Sequence, residues 1–98
     1  VRIVRALGRL AMARAAALAA LDGCDVLLLP TAPQGAFAHG TPAPADQADF
    51  TALANAAGLP AIAVPIRLAE GLPASVQLVG RPWAEALLVS LGALLMQA

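Results

Sequence analysis

Apolar and polar positions change period several times along this chain, and each change marks an element. Over residues 2–21, Arg2, Arg5 and Arg9 recur on one side of a helical wheel, while Ile3, Leu7, Leu10, Leu18 and Leu21 gather on another. That is the period of an amphipathic helix. Arg14 falls inside the apolar arc, where it either lays its stem along apolar surface with its head in water or pairs with a carboxylate. Asp22-Gly23 stops the helix. Residues 25–30 read as a strand, with a continuous apolar run from Val26 closed by proline, the pattern of a strand buried on both faces beneath helices. Residues 31–45 show no period and, with Pro30, hold half of the eight prolines. They read as a loop leaving the C-terminal end of a strand, where open α/β sheets place ligands.

A second helix is expected from Asp46 to about Ala57. Asp46 caps its free N–H groups, Asp49 adds charge near its positive end, and Phe50, Leu53, Ala54 and Ala57 face inward. The rest of the chain is organised around residues 50–80. Gly58-Leu59-Pro60 ends the helix and opens a strand that stops at Pro65. Glu70-Gly71 turns, and Gly71-Leu72-Pro73 opens a second strand over Ala74–Val79, where Ser75 and Gln77 alternate with Val76 and Leu78. Glycine allows the left-handed backbone that ends an element, and proline fixes an extended entry. The stretch from Arg81 to Glu85 starts the last helix, with Pro82 in its first turn and Glu85 near its positive end. Leu87, Leu88, Val89, Leu91, Leu94, Leu95 and Met96 cover most of its circumference, so it calls for burial on more than one side. The order is helix, strand, loop, helix, strand, strand, helix: an α/β segment with too few strands to cover its helices.

Composition narrows the function. The 98 residues allow one domain at most, and a domain of that size buries roughly 60–65% of its unfolded surface. Apolar residues make up 60%, but alanine dominates them and aromatics are 3%. Six arginines balance six acids, and there is no lysine. A neutral chain without basic–aromatic interleaving is not expected to bind nucleic acid. Cys24 is the one cysteine and His39 the one histidine, so neither a disulfide framework nor a structural zinc site is expected, and no cofactor either. No apolar stretch approaches the roughly 20 residues of a membrane span, and no signal peptide is evident. A cytoplasmic protein without membrane contact is the expectation. The chain begins at Val1 rather than Met and reads as a processed chain or a piece of a longer one.

Local motifs assign no activity. The chain has no GxSxG elbow, Walker loop, GxGxxG turn or HExxH helix, the signatures of the commonest nucleophile, phosphate and zinc chemistries. Ser75 and Ser90 are the only serines, and both read as structural. His39 reads as a solvated loop residue, because a general base needs a nucleophile and an orienting partner. A hydrolase built on Ser75 and His39 is the least supported reading.

Three blocks do carry a signal: Asp-Val-Leu-Leu-Leu-Pro-Thr-Ala-Pro (25–33), the run from Phe50 to Pro65 containing Asn55 and the first Gly-Leu-Pro, and Gly-Leu-Pro-Ala-Ser-Val-Gln-Leu-Val-Gly-Arg-Pro-Trp (71–83). In this order, and ending in an apolar helix, they resemble the C-terminal end of the amidase signature family, over nearly the whole chain. The resemblance implies the C-terminal part of a large mixed sheet flanked by helices, in chains several times this length. It implies hydrolysis of carboxamide C–N bonds by a serine nucleophile, a second serine bridging in a cis peptide and a lysine base, all set in an upstream Gly/Ser-rich stretch. No catalytic residue carries over to this chain, which lacks lysine altogether.

What the resemblance assigns here is a wall of the acyl pocket, carried by Phe50, Thr51 and Asn55. Some glutamine-handling members carry an acid two positions before the aromatic-Thr pair. The matching position is Ala48, with Asp49 one place out of register, which favours a less polar amide. The expected partners are the remainder of an amidase chain and a small-molecule amide, with a homo-oligomer left open. The chain alone is expected to be inactive. The competing reading is a non-catalytic α/β binding or interaction module derived from the same fold.

Overall fold

A computed structural model describes residues 1–97. Its elements are α1 (Arg2–Asp22), β1 (Val26–Pro30), α2 (Ala52–Ala57), β2 (Ala61–Ile66), β3 (Ala74–Gly80) and α3 (Glu85–Gln97). The strands form one sheet in the order β1-β3-β2, with β3 antiparallel to both neighbours. Leu78 stands opposite Leu28 on one side and Ile62 on the other. Because strand side chains alternate, Gln77 and Val79 share a face with Leu27, Leu29, Ala61 and Ala63.

Each face has its own core. On the first, Ala17 and Leu21 of α1 meet Ala54 and Ala57 of α2, with Leu59 and Val79 beneath. On the second, Leu88 of α3 closes over Val64 and Leu78, flanked by half-buried Ile62, Val76, Leu91 and Leu95. The layers are therefore α1 with α2, the sheet, and α3. Glycines let α3 lie close: a Cβ on Gly92 would sit 3.2 Å from Val64 Cγ2, and one on Gly80 3.1 Å from the Ala84 Cβ.

Gly58 ends α2 as expected, in the left-handed region at φ 65°. Its N–H and that of Leu59 both bond to the Ala54 carbonyl, the latter at 3.0 Å, which satisfies orphan helix-end acceptors. Gly71 takes the same hand at φ 82°. β2 runs one residue past Pro65, and because β2 is an edge strand the missing proline donor is tolerated there.

Several expectations need correction. β1 is not buried on both faces; it is an edge strand, and Leu28 is 63% exposed. The reason is that α3 packs on β2 and β3 and leaves the β1 margin uncovered. β3 is not half-buried. Gln77, Leu78, Val79 and Gly80 are buried in succession, because a central strand covered on both sides has no solvent face. α2 starts at Ala52 rather than Asp46, and residues 46–51 are turn. There the Gln47 and Asp49 N–H groups bond to the Pro44 and Asp46 carbonyls at 3.1 and 3.0 Å, so the Asp46 carboxylate finds no orphan helix donor to cap. Pro82 also falls outside its helix. Trp83 turns to φ 67° before α3 begins at Glu85, which does occupy the first turn.

The helices are only partly covered. Ile3, Leu7 and Leu10 of α1 are exposed, as are Leu87, Val89, Leu94 and Met96 of α3. The Cα radius of gyration is 15.3 Å, against about 13 Å for a compact domain of 100 residues.

Candidate functional site

The site is built where α2 leans on the first sheet face. α2 is short, and it is fixed at both ends. At its C-terminus Gly58 turns the chain away, and the Arg14 guanidinium reaches from α1 to donate to the Ala57 carbonyl. Arg14 therefore meets neither bulk water alone nor a carboxylate; it serves the negative end of a helix that has no basic residue in its own last turn. Arg81 does the same for α1, donating to the Leu21 and Cys24 carbonyls at 2.9 Å each. Its contact with Asp25, at 3.4 Å, is an exposed pair of little energetic weight.

At the other end of α2, the Gln77 Nε2 on β3 donates to the Phe50 carbonyl at 3.1 Å. This ties the turn before α2 to the centre of the sheet. Between these fastenings lies a cavity of about 400 Å³, with Thr31, Thr51, Asn55 and Gln77 as its polar lining and Leu59, Ala61 and Ala63 among its apolar lining. Thr51, just before α2, and Asn55 share a side because they stand four residues apart in helical backbone. The small alanines of β2 leave the room. Thr31 continues the β1 direction past Pro30, held by its N–H on the Ser75 carbonyl at 3.2 Å and its hydroxyl on Ser75 Oγ at 2.9 Å. No charged side chain lines the cavity.

Of the three residues expected to form a pocket wall, Thr51 and Asn55 line this cavity. Phe50 does not; its carbonyl anchors Gln77 instead. Ala48 and Asp49 lie in the preceding turn, and the Asp49 side chain is exposed. Gln77 and Thr31 are additions to the expected site. In sequence Gln77 reads as the solvent side of a strand, and the signal that identifies it is position: β3 lies between two other strands, so a polar residue there must find a buried partner. His39 and Ser90 are exposed, and Ser75 is engaged by Thr31. A second cavity of about 770 Å³ lies at the far end of β2 and α3, lined by Pro65, Arg67, Leu68 and Leu95 among others. Among the described residues no group of three or more His, Cys, Asp and Glu side chains is placed to hold a metal, and no helix is long and apolar enough to cross a membrane.

Comparison with known proteins agrees in sequence and in fold. The glutamyl-tRNA(Gln) amidotransferase A subunit of Nitrobacter hamburgensis is 49% identical over 83 residues, which are 78% of this chain and 17% of that protein. Its namesake from Cereibacter sphaeroides is 45% identical over 84 residues, 79% of this chain and 17% of that one. The crystal structure of the glutamyl-tRNA(Gln) amidotransferase A subunit from Thermotoga maritima superposes with a TM-score of 0.79 at 32% identity, covering 88% of this chain and 20% of that one. The chain thus spans about a fifth of the length of these relatives or less. The family model for amidases matches residues 4–89. With the family match covering most of the chain and the fold superposing at that TM-score, the chain belongs to the amidase family.

Proposed function

We propose that this chain is the C-terminal portion of an amidase that hydrolyses carboxamide C–N bonds, and that it forms part of the acyl-pocket wall. The serine nucleophile, the second serine and the lysine base are supplied by residues outside it. The supporting observation is the cavity itself: it gathers Thr51 and Asn55 with Gln77 on the stretch that the family resemblance assigns to the acyl wall. An activated serine and preorganised oxyanion donors do the bond-breaking, and this chain's part is to orient the acyl group before attack. Uncovered α1 and α3 faces and a core that is one-third alanine support docking on a further portion of the same enzyme. They count against an independent binding module. The reading carries a cytoplasmic location with it.

The names of the relatives supply a second reading, a subunit that releases ammonia for transfer to a glutamyl-tRNA. Ala48, where some glutamine-handling members carry an acid, argues for a different amide. The test is ammonia release from a panel of simple carboxamides by the full-length product of the reading frame that contains this chain, beside the 98-residue chain alone. Turnover by the first and none by the second is expected. Turnover by the short chain, or none by the long one on any amide including glutamine, overturns the proposal.

A further inference from the structure

Resting on the amidase reading, we propose that the cavity receives an uncharged polar group at the far end of the substrate's acyl portion, with the Gln77 side-chain oxygen as the acceptor that selects it. Gln77 is 3% exposed, and its Nε2 donates to the Phe50 carbonyl at 3.1 Å. That bond fixes the amide's orientation, since the reverse flip would set two acceptors against each other. Oε1 accepts no hydrogen bond from the described residues, yet among them no buried side-chain nitrogen or oxygen lacks a partner. Oε1 is therefore not sealed, and the space it opens onto is the cavity that Gln77 lines.

An acceptor held this way gains from a ligand donor and loses from an alkyl group that displaces its water. A charged group fares worse still: no lining side chain carries a charge to pair with it, and an unpaired ion leaving water pays heavily. Asn55 and Thr51, across from the sheet, complete a lining suited to a neutral hydroxyl or amide. An acyl chain ending in a hydroxyl is selected over its methyl isostere, and over the zwitterionic end of glutamine.

The experiment measures kcat/KM of the full-length amidase for 4-hydroxybutanamide, pentanamide and glutamine. The first two differ only by hydroxyl for methyl. A preference of about tenfold for the hydroxyl amide is expected, with glutamine the poorest. Gln77→Leu is expected to erase that preference, lowering kcat/KM for the hydroxyl amide about tenfold more than for pentanamide. The proposal falls if wild type shows no preference, if glutamine is the best substrate, or if Gln77→Leu lowers both neutral amides equally. If neither amide is turned over, ligand-observed NMR binding to the same chain decides. Tighter binding of the hydroxyl amide sustains this inference while the hydrolytic reading fails, and equal binding ends it.

Discussion

The two faces of the sheet are held by different means. On the α3 face Leu88 closes on Val64 and Leu78, and the close approach at Gly92 leaves no room between helix and sheet there; the larger cavity lies only beyond, at the far ends of β2 and α3. The α1–α2 face combines an alanine-rich core with long-range polar fastenings from Arg14, Arg81 and Gln77 to main-chain carbonyls. Alanine buries little area, so this face has less apolar attraction and more directional bonding. That is the face with the cavity that Gln77 lines. A ligand site needs uncovered polar groups held at fixed distances, and a tightly packed apolar layer cannot supply them.

The contrast breaks most sharply at Leu88. It is the one α3 side chain that is fully buried, so Leu88→Ala opens a cavity that few neighbours can fill. A loss of about 3 kcal/mol is expected from urea unfolding. A loss below about 1 kcal/mol would show that α3 is held by something other than this contact.

Gly58 is the next test, on the other face. A Cβ there meets only the Arg14 Nη1, at 3.5 Å, and the backbone sits at φ 65°, so the cost of Gly58→Ala is conformational rather than steric. It should be about 1–2 kcal/mol. Because α2 carries Asn55 and is capped by Thr51, the same change should raise KM of the full-length enzyme. Gly71→Ala, at φ 82° with open space around it, should cost similar stability without affecting KM.

Much of this is legible from residue pattern, and the failures share one cause. The two Gly-Leu-Pro triplets look alike in sequence, and both glycines adopt the left-handed backbone that local chemistry dictates. Yet Leu59 is 8% exposed and Leu72 68%, because only the first lies under α1 and α2. Local signals fix turns and helix ends; which side chains are covered depends on strand order, and no period within β3 says that it lies in the middle. Gln77 escapes notice for that reason. Arg14 stands out in the sequence as an anomaly in an apolar arc, but its partner, a carbonyl forty-three residues away, has no side-chain signature. Thr51 and Asn55 come from family resemblance rather than from spacing.

Arg14→Ala should then cost about 1 kcal/mol, the usual net value of a hydrogen bond to a main-chain acceptor. The charge alone does not carry it. Lysine keeps the positive charge but offers a different donor geometry on a different reach, so Arg14→Lys should recover only part of the loss. Full recovery in the urea midpoint would mean that helix-end electrostatics dominate over the hydrogen bond.

The smallest effect should come from Asp25, and it sharpens what fastens the first face. Asp25 and Arg81 are 3.4 Å apart, with side chains 81% and 48% exposed. Water and salt screen such a pair, and the ordering of two side chains offsets most of the attraction. Arg81, by contrast, donates to the Leu21 carbonyl in the last turn of α1 and to the Cys24 carbonyl just beyond it, and those bonds do not need the carboxylate. Asp25→Ala should therefore change stability by less than about 0.5 kcal/mol, and the difference should vanish in high salt. Arg81→Ala should cost more than Asp25→Ala at every ionic strength, because it orphans the end of a 21-residue helix. Equal losses for the two variants, both removed by salt, would mean that the ion pair rather than the carbonyl contacts fastens α1 to the β3–α3 turn.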